Sequence, residues 1–366
     1  MKTTKLQHNS SELELRIKEK TGLNRTRIFL IVAMVIGVIK LGRVNLRKLA
    51  PLINPLRSRK TNYRRLNKFF QFFTFEITTL SRLMASFLPE GKWVLTMDRT
   101  NWKFGKVHIN ILMLGVAYKG IAIPLIWYLL RKKTKSGNSS YRDKIRIIKK
   151  FIDIFGVDRI EILTADREFI GKVWFKWLRK RKVPFAIRIM NNLTVKVGRG
   201  EVRIDSLFRN LKLGEHTFYR TKKTVYGYKL SIIAVKLENE YLIVATNMKQ
   251  ELALGYYKKR WEIETLFSAL KMRGLNLEET HMCDRKKIHT LVGILAIAFV
   301  WCHIIGEWRN EIKPIKTLKH GRKAQSLFLY GLEFISDVFL NYEFRNKDLL
   351  LVFQKIDSRL IKIGDY

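Results

Sequence analysis

Between Tyr257 and Lys271 the chain reads YKKRWEIETLFSALK, and its residue types and spacing suit work on a phosphodiester. At about 100° per helical residue, Tyr257, Arg260, Glu264 and Lys271 fall within roughly 60° of one another on one face. The row is about 20 Å long, with one acid bracketed by Arg and Lys. Such a row fits a metal-bound phosphodiester, the acid on the cation and the bases on flanking phosphates. Ile263, Leu266, Phe267 and Leu270 project from a neighbouring sector, so the helix can dock on a core. Glu262 is expected to point the other way. The same spacing also describes a solvated amphipathic helix laced with salt bridges.

Two further acids end β-like runs. Asp98 follows Trp93 to Met97, and Asp166 follows Ile160 to Ala165. The carboxyl edge of an open α/β sheet is where sites are built. Two divalent cations about 4 Å apart need carboxylates on rigid elements, and Asp98, Asp166 and Glu264 would supply them from three. Asp143, Asp153, Asp158 and Glu161 are nearby alternatives that could equally be surface acids or helix caps.

The elements that must hold these acids read as mixed α/β. Trp93–Met97, Ile109–Tyr118 and Ile121–Leu129 are strands, the last two joined at Lys119 and Gly120 as a hairpin. A Lys, Gly and Ser-rich loop over Arg131–Ser140 precedes a helix to about Phe155. A strand to Ala165, a helix to Arg181 and a strand over Pro184–Ile189 complete the series. Residues 191 to 247 alternate in short runs that suggest a small antiparallel β-unit, either facing DNA or a structural appendage, placed before a long helix from about Lys249.

Upstream, Leu46–Ile53 and a helix from Thr61 flank a Pro55 break, which suits a helix-turn-helix or an ordinary helical bundle with a wet basic face. In the former, the second helix carries Arg64 and Arg65 to DNA, with Arg57, Arg59 and Lys60 on phosphates.

Charge sets the class of partner. Lys and Arg number 71 against 31 Asp and Glu, a balance of +40 in 366 residues. A polyanion is expected. Because the basic residues run the whole length among aromatics, nucleic acid is favoured over an anionic membrane. Cys283 and Cys302 form no metal-ligand pattern, so a reduced intracellular protein is expected, without a signal peptide. Ile28–Ile39 is too short to span a bilayer, and Leu291–Ile305, which carries His303, reads as a buried helix.

At this point the sequence resembles a known family. Tyr257, Arg260, Glu264 and Lys271 match the signature Y-x2-R-x3-E-x6-K, with Trp261 and Ile263 extending it to Y-x2-R-W-x-I-E. LTMDRT and LTADREF provide the contexts of Asp98 and Asp166. The family is the bacterial insertion-sequence DDE transposases with a ribonuclease H-like core, in the branch that excises through DNA hairpins.

The resemblance covers about residues 44 to 345. It implies an α/β fold with a mixed sheet, flanking helices, a β-rich insert and an N-terminal helical DNA-binding domain. It also implies Mg²⁺, replaceable by Mn²⁺, at the three acids, and phosphate contacts from Tyr257, Arg260 and Lys271. The implied partners are double-stranded DNA, as transposon ends and target, and a second copy in a dimeric synaptic complex. No membrane partner is expected, and the location is the bacterial cytoplasm with the nucleoid.

The expected segments are 1–88 for DNA binding, 89–190 and 249–310 for the two parts of the core, 191–248 for the β-insert, and 311–366 for a C-terminal helical region. One departure stands out: hairpin-forming relatives are expected to stack a flipped base on an aromatic, often an insert Trp, and residues 190 to 255 contain none. Phe218, Tyr219, Tyr226 or Tyr228 could substitute, since any flat ring can stack a base, and Trp261 could either help from the helix or pack in the core.

Overall fold

The computed structural model describes residues 11–130, 139–272, 274–319 and 321–361. The loop expected over Arg131–Ser140 lies outside the described residues as far as 138. Helices α1 (Ser11–Thr21), α2 (Arg25–Leu41), α3 (Leu46–Ile53), α4 (Arg59–Phe72) and α5 (Ile77–Ala85) come first. Strands β1 (Trp93–Phe104), β2 (Val107–Tyr118) and β3 (Ile121–Leu129) follow, then α6 (Tyr141–Phe155), β4 (Ile160–Ala165), α7 (Lys172–Lys180) and β5 (Phe185–Ile189). Next are β6 (Thr194–Val197), β7 (Gly200–Arg203), β8 (His216–Phe218), β9 (Lys223–Val225), β10 (Tyr228–Lys236) and β11 (Tyr241–Thr246). After them lie α8 (Gln250–Lys258), α9 (Glu262–Lys271), α10 (Arg285–Ile312), α11 (Leu327–Leu340) and α12 (Asn346–Ile361).

One compact unit is formed by Gly91–Asn101 and Asn110–Thr265. It is organised by a nine-stranded mixed sheet in the order β3-β2-β1-β4-β5-β11-β10-β8, with β9 paired to β10. β1, β4 and β5 are mutually parallel, and β2–β3 and β5–β11–β10 are antiparallel. This mixed α/β sheet with helices is consistent with the expected ribonuclease H-like core. The parallel strands are near-continuous apolar runs because they are covered on both faces, and Leu95, Met97, Ile162, Leu163, Phe185 and Ile187 are fully buried.

Two expectations change here. β1 does not stop at Asp98 but runs on to Phe104, where Thr100 and Trp102 face inward while Asn101 and Lys103 face out. That alternation marks a half-covered strand, and its polar residues hid it from an apolar-run reading. The β-unit expected over 191–248 is also separate only in part: β6 and β7 form their own two-stranded sheet, while β8, β10 and β11 extend the main one. The LSIIA run of β10 and the IVAT end of β11 are buried, the pattern of interior strands and not of an appendage.

The other unit gathers residues up to Glu90, Trp102–Ile109, and residues from Leu266 onward. Its axis is α10, whose side chains are buried almost continuously from Ile288 to Glu307. α10 is long and apolar enough to cross a membrane, and 94% of its apolar window is buried against neighbouring helices, the pattern of a core helix. α11 crosses α10 backbone to backbone at two glycines: a Cβ on Gly306 would run into the Leu327 carbonyl, and one on Gly331 into that of Cys302. α3 and α4 form the expected helix pair, with the intervening turn held by Asn62 Nδ2 donating to Asn54 O at 2.7 Å. α4 starts two residues before the expected Thr61 because Ser58 caps it, its Oγ accepting the Thr61 N–H at 3.2 Å.

Candidate active site

Asp98 and Asp166 are neighbours across the sheet. The parallel register pairs Thr96 with Thr164 and Met97 with Ala165, so the next position on each strand is an aspartate. Thr164 Oγ1 ties the strands below them by donating to Leu95 O at 3.0 Å. Glu264 arrives on α9, and Arg260 joins the set. Its Nη1 lies 3.8 Å from Asp98 Oδ2 and its Nη2 2.7 Å from Glu264 Oε1. Asp166 also acts on Arg260 by charge attraction, and its Oδ1 lies 3.8 Å from Arg188 Nη1 on β5.

The electrostatics follow from burial. Removal from water is the main reason the Asp98 carboxyl is pushed up to about 6; the Arg99 N–H and Arg260 pull it down, and Glu168 and Asp166 push it further up. Burial disfavours the charge on Arg260, yet Tyr257, Glu264 and Asp166 hold its proton more tightly than in water, with a net rise. Asp166 Oδ1 is buried without a hydrogen-bond partner. Among the described residues no three His, Cys, Asp or Glu side chains are grouped closely enough to hold a metal ion. The guanidinium of Arg260 supplies the counter-charge between Asp98 and Glu264. The oxygen-only donors, the desolvated Asp98 beside two other acids and the unsatisfied Asp166 oxygen nevertheless fit a hard divalent cation in kind.

The row from Tyr257 to Lys271 is not one regular helix. Lys259–Trp261 tightens into a 3₁₀ turn between α8 and α9, which alters the angular spacing on which the single face relied. Tyr257 is 5% exposed and packs with Val94, Ile162, Ala186 and Val244, so it belongs to the core and reaches the site through Arg260, 6.0 Å from its ring. Burial pushes its phenol above the usual range. Lys271, in the other unit, pairs with Glu278 at 3.0 Å and lies over Trp102. Trp261 does not pack in the core: it is 63% exposed, beside Arg260.

Of the helix-pair residues, Arg64 is exposed, while Arg65 leans on the Phe29 ring at 5.7 Å with its Nη1 buried. The four aromatics weighed as base platforms all have packing roles. Phe218 packs against the core cluster, Tyr226 meets Phe175 edge-on, and Tyr219 and Tyr228 lie under Lys223 and Arg179.

The alternative acids have other work or positions. Asp143 completes the capping box of α6, Glu161 accepts the Tyr256 hydroxyl at 2.8 Å, and Asp153 and Asp158 are exposed.

Glu168, which the sequence reading passed over, is part of the site's surroundings. It pairs with Arg99 Nη2 at 3.1 Å and accepts Ser139 Oγ at 3.1 Å. The buried Lys144 donates its Nζ to Glu168 O at 2.6 Å, fixing the loop after Asp166, and burial lowers the Lys144 ammonium to about 8. Glu262, which the sequence reading set only on the side away from the row, has a role of its own. It takes the backbone N–H groups of Tyr118 and Gly120 in the β2–β3 turn, and burial pushes its carboxyl up to about 7 against the pull of Lys259 and those two donors. Lys119 and Gly120 both have positive φ in this tight turn.

A family model described as the transposase DDE domain matches residues 89–301, more than half of the chain. The chain belongs to this family. Membership makes it a transposase of the nuclease-type enzyme class, with DNA as the implied substrate. The matched span of the transposase domain takes in both sheet aspartates, Glu264 and Lys271. No curated protein was found to match the chain.

Proposed function

We propose that this transposase binds the terminal inverted repeats of its own element, pairs two ends in a dimeric complex, cuts them and joins them to target DNA in the bacterial cytoplasm. The observation that carries the reading is the Arg260 bridge between Asp98 on the sheet and Glu264 on α9, beside Asp166, inside a matched transposase domain. Asp98, Asp166 and Glu264 would hold Mg²⁺, or Mn²⁺ in its place. The bound ion would polarise the scissile phosphodiester and assist the attacking oxygen.

Arg260 is suited to pass from the acids to a phosphate as DNA arrives, because a guanidinium matches both groups bidentately. Lys271 would hold a flanking phosphate, and Tyr257 would keep Arg260 in place from the core. Trp261, the exposed ring of the signature, supports a stacking contact with a base near the cut, and with it the hairpin route. The N-terminal helices over 1–88, with Arg64 foremost and Arg65 braced on Phe29, would read the end sequence. The segments 89–190 and 249–310 would carry the chemistry, 191–248 the added strands and 311–366 the C-terminal helices.

Inverted repeats flanking the gene would supply the substrate for the test. Incubated with paired-end DNA, a target plasmid and Mg²⁺, the protein should yield excised ends and joined products, with hairpin-ended intermediates on a denaturing gel. Cutting without joining would point to a nuclease or resolvase. Binding without cutting, unchanged in Glu264→Gln, would point to a DNA-binding protein that has lost its chemistry.

A further inference from the structure

The helical unit contains a cavity of about 550 Å³, lined by polar and apolar residues, away from the acidic site. Two helices start at it. Asn45 caps α3, accepting the N–H groups of Arg47 and Lys48, and Asp284 caps α10, accepting that of Lys287. The caps already take those N–H groups, and what the helix starts add to the cavity is partial positive charge. Arg47 and Lys287 line the same space. The Arg47 guanidinium lies 6.0 Å from the centroid of the Tyr63 ring, on which it is braced. The decisive observation is Thr280. It is 5% exposed, lines the cavity, and its buried Oγ1 has no hydrogen-bond partner. A buried hydroxyl left unmatched is unfavourable, so a ligand atom that satisfies it is favoured.

We propose that this cavity is a phosphate site for DNA, in which one backbone phosphodiester is held by Arg47, Lys287 and the Thr280 hydroxyl at the paired helix starts. The proposal rests on the reading of DNA as the substrate and adds to it a contact away from the acids. Duplex phosphate is the favoured occupant because the chain carries +40 and Tyr63 and Phe70 offer an apolar wall for the adjoining sugar. Asp284 opposes an anion by its charge, which makes it a discriminating position.

The test is anisotropy with the full-length protein and a short fluorescein-labelled duplex in metal-free buffer, where cutting plays no part. Arg47→Ala and Lys287→Ala should each weaken binding about fivefold to tenfold, and should each lower the slope of log affinity against log salt by about 0.9. Thr280→Val should weaken binding about threefold with the slope unchanged, since the hydroxyl is neutral. Asp284→Asn should tighten binding about threefold, because Asn caps a helix as well as Asp but removes the charge. Inorganic phosphate and dAMP, added as competitors, distinguish the sources. If either binds, by thermal shift, in a way that Lys287→Ala abolishes while duplex binding is indifferent to all four variants, the site belongs to free phosphates and the duplex assignment falls. Unchanged salt slopes in Arg47→Ala and Lys287→Ala, or weaker binding by Asp284→Asn, would also overturn it. Failure of cleavage in the paired-end assay leaves these readouts intact, so the two readings fail separately.

Discussion

Two regions of the sheet-based unit each receive an acid from the same stretch of chain, and they treat it differently. At the strand ends, Glu264 meets Arg260, which also reaches Asp98. At the β2–β3 turn, two residues earlier in sequence, Glu262 meets only backbone N–H groups, with Lys259 pulling from a distance. Glu264 has a full counter-charge, and Glu262 has dipoles that do not offset its burial, so its carboxyl rises to about 7. The first arrangement sets a guanidinium against two acids. The second favours a neutral acid that fastens the helix to the sheet. Burial is the largest cause at both Asp98 and Glu262, and the groups that face each acid set how far it is offset.

The largest expected effect separates the two regions by activity. Glu264→Gln or Asp98→Asn should lower cleavage about a thousandfold, with end binding retained, because an oriented charge at the reacting phosphate is lost. Glu262→Gln should alter cleavage at pH 8 by less than about threefold, as Gln keeps an oxygen for one of the N–H groups. Rates on pre-cut and intact ends would measure both. A Glu262→Gln loss equal to that of Glu264→Gln would break the comparison and place both acids in the chemistry.

A second prediction removes the counter-charge. Arg260→Ala leaves Asp98, Asp166 and Glu264 facing one another across a partly dry site, and should cost about 3 kcal/mol of stability in metal-free buffer. The same variant should gain more in Tm from added Mg²⁺ than the wild type does, because the cation then supplies the whole compensation. Calorimetric Tm values with and without the ion would check it. Equal Mg²⁺ shifts in the two proteins would mean that Arg260 and the ion do not share the acids.

The sequence carried the parts of this site that rest on local pattern. Asp98 and Asp166 follow short apolar runs that read as strands, and the pairing of Arg260 with Glu264 survives although Arg260 sits in the 3₁₀ turn and Glu264 on α9. What was hidden depends on long-range contact. Glu168 lies in an irregular loop whose value comes from Arg99, Ser139 and Lys144, none of them near it in sequence. Tyr257 looked like a surface phenol because a helical wheel places residues around one axis and takes no account of what packs there. β10 and β11 looked like part of a separate small β-unit because short alternating runs say nothing about which sheet they join.

The smallest expected effect is the most specific to Glu262, and it sharpens the comparison through pH. Its carboxyl rises from 4.5 in the open chain to about 7 in the fold, so between those values the folded protein holds a proton that the unfolded chain has released. Stability from this group is therefore complete below about pH 4.5 and is lost as pH rises through 7. With the group partly open to solvent, the loss is about 1–2 kcal/mol. Asp98, raised from 3.8 to about 6, slopes the same way over a lower window, so the two must be separated by mutation. Glu262→Gln cannot titrate: its unfolding free energy from urea titrations should change less than that of the wild type between pH 6 and 8, by about 1 kcal/mol, and should equal or exceed the wild type at pH 8. Asp98→Asn should flatten the curve below about pH 6 and leave the upper window unchanged. A Glu262→Gln curve parallel to the wild type across the upper window would show that the β2–β3 turn holds an ordinary carboxylate, and that the two regions treat their acids alike.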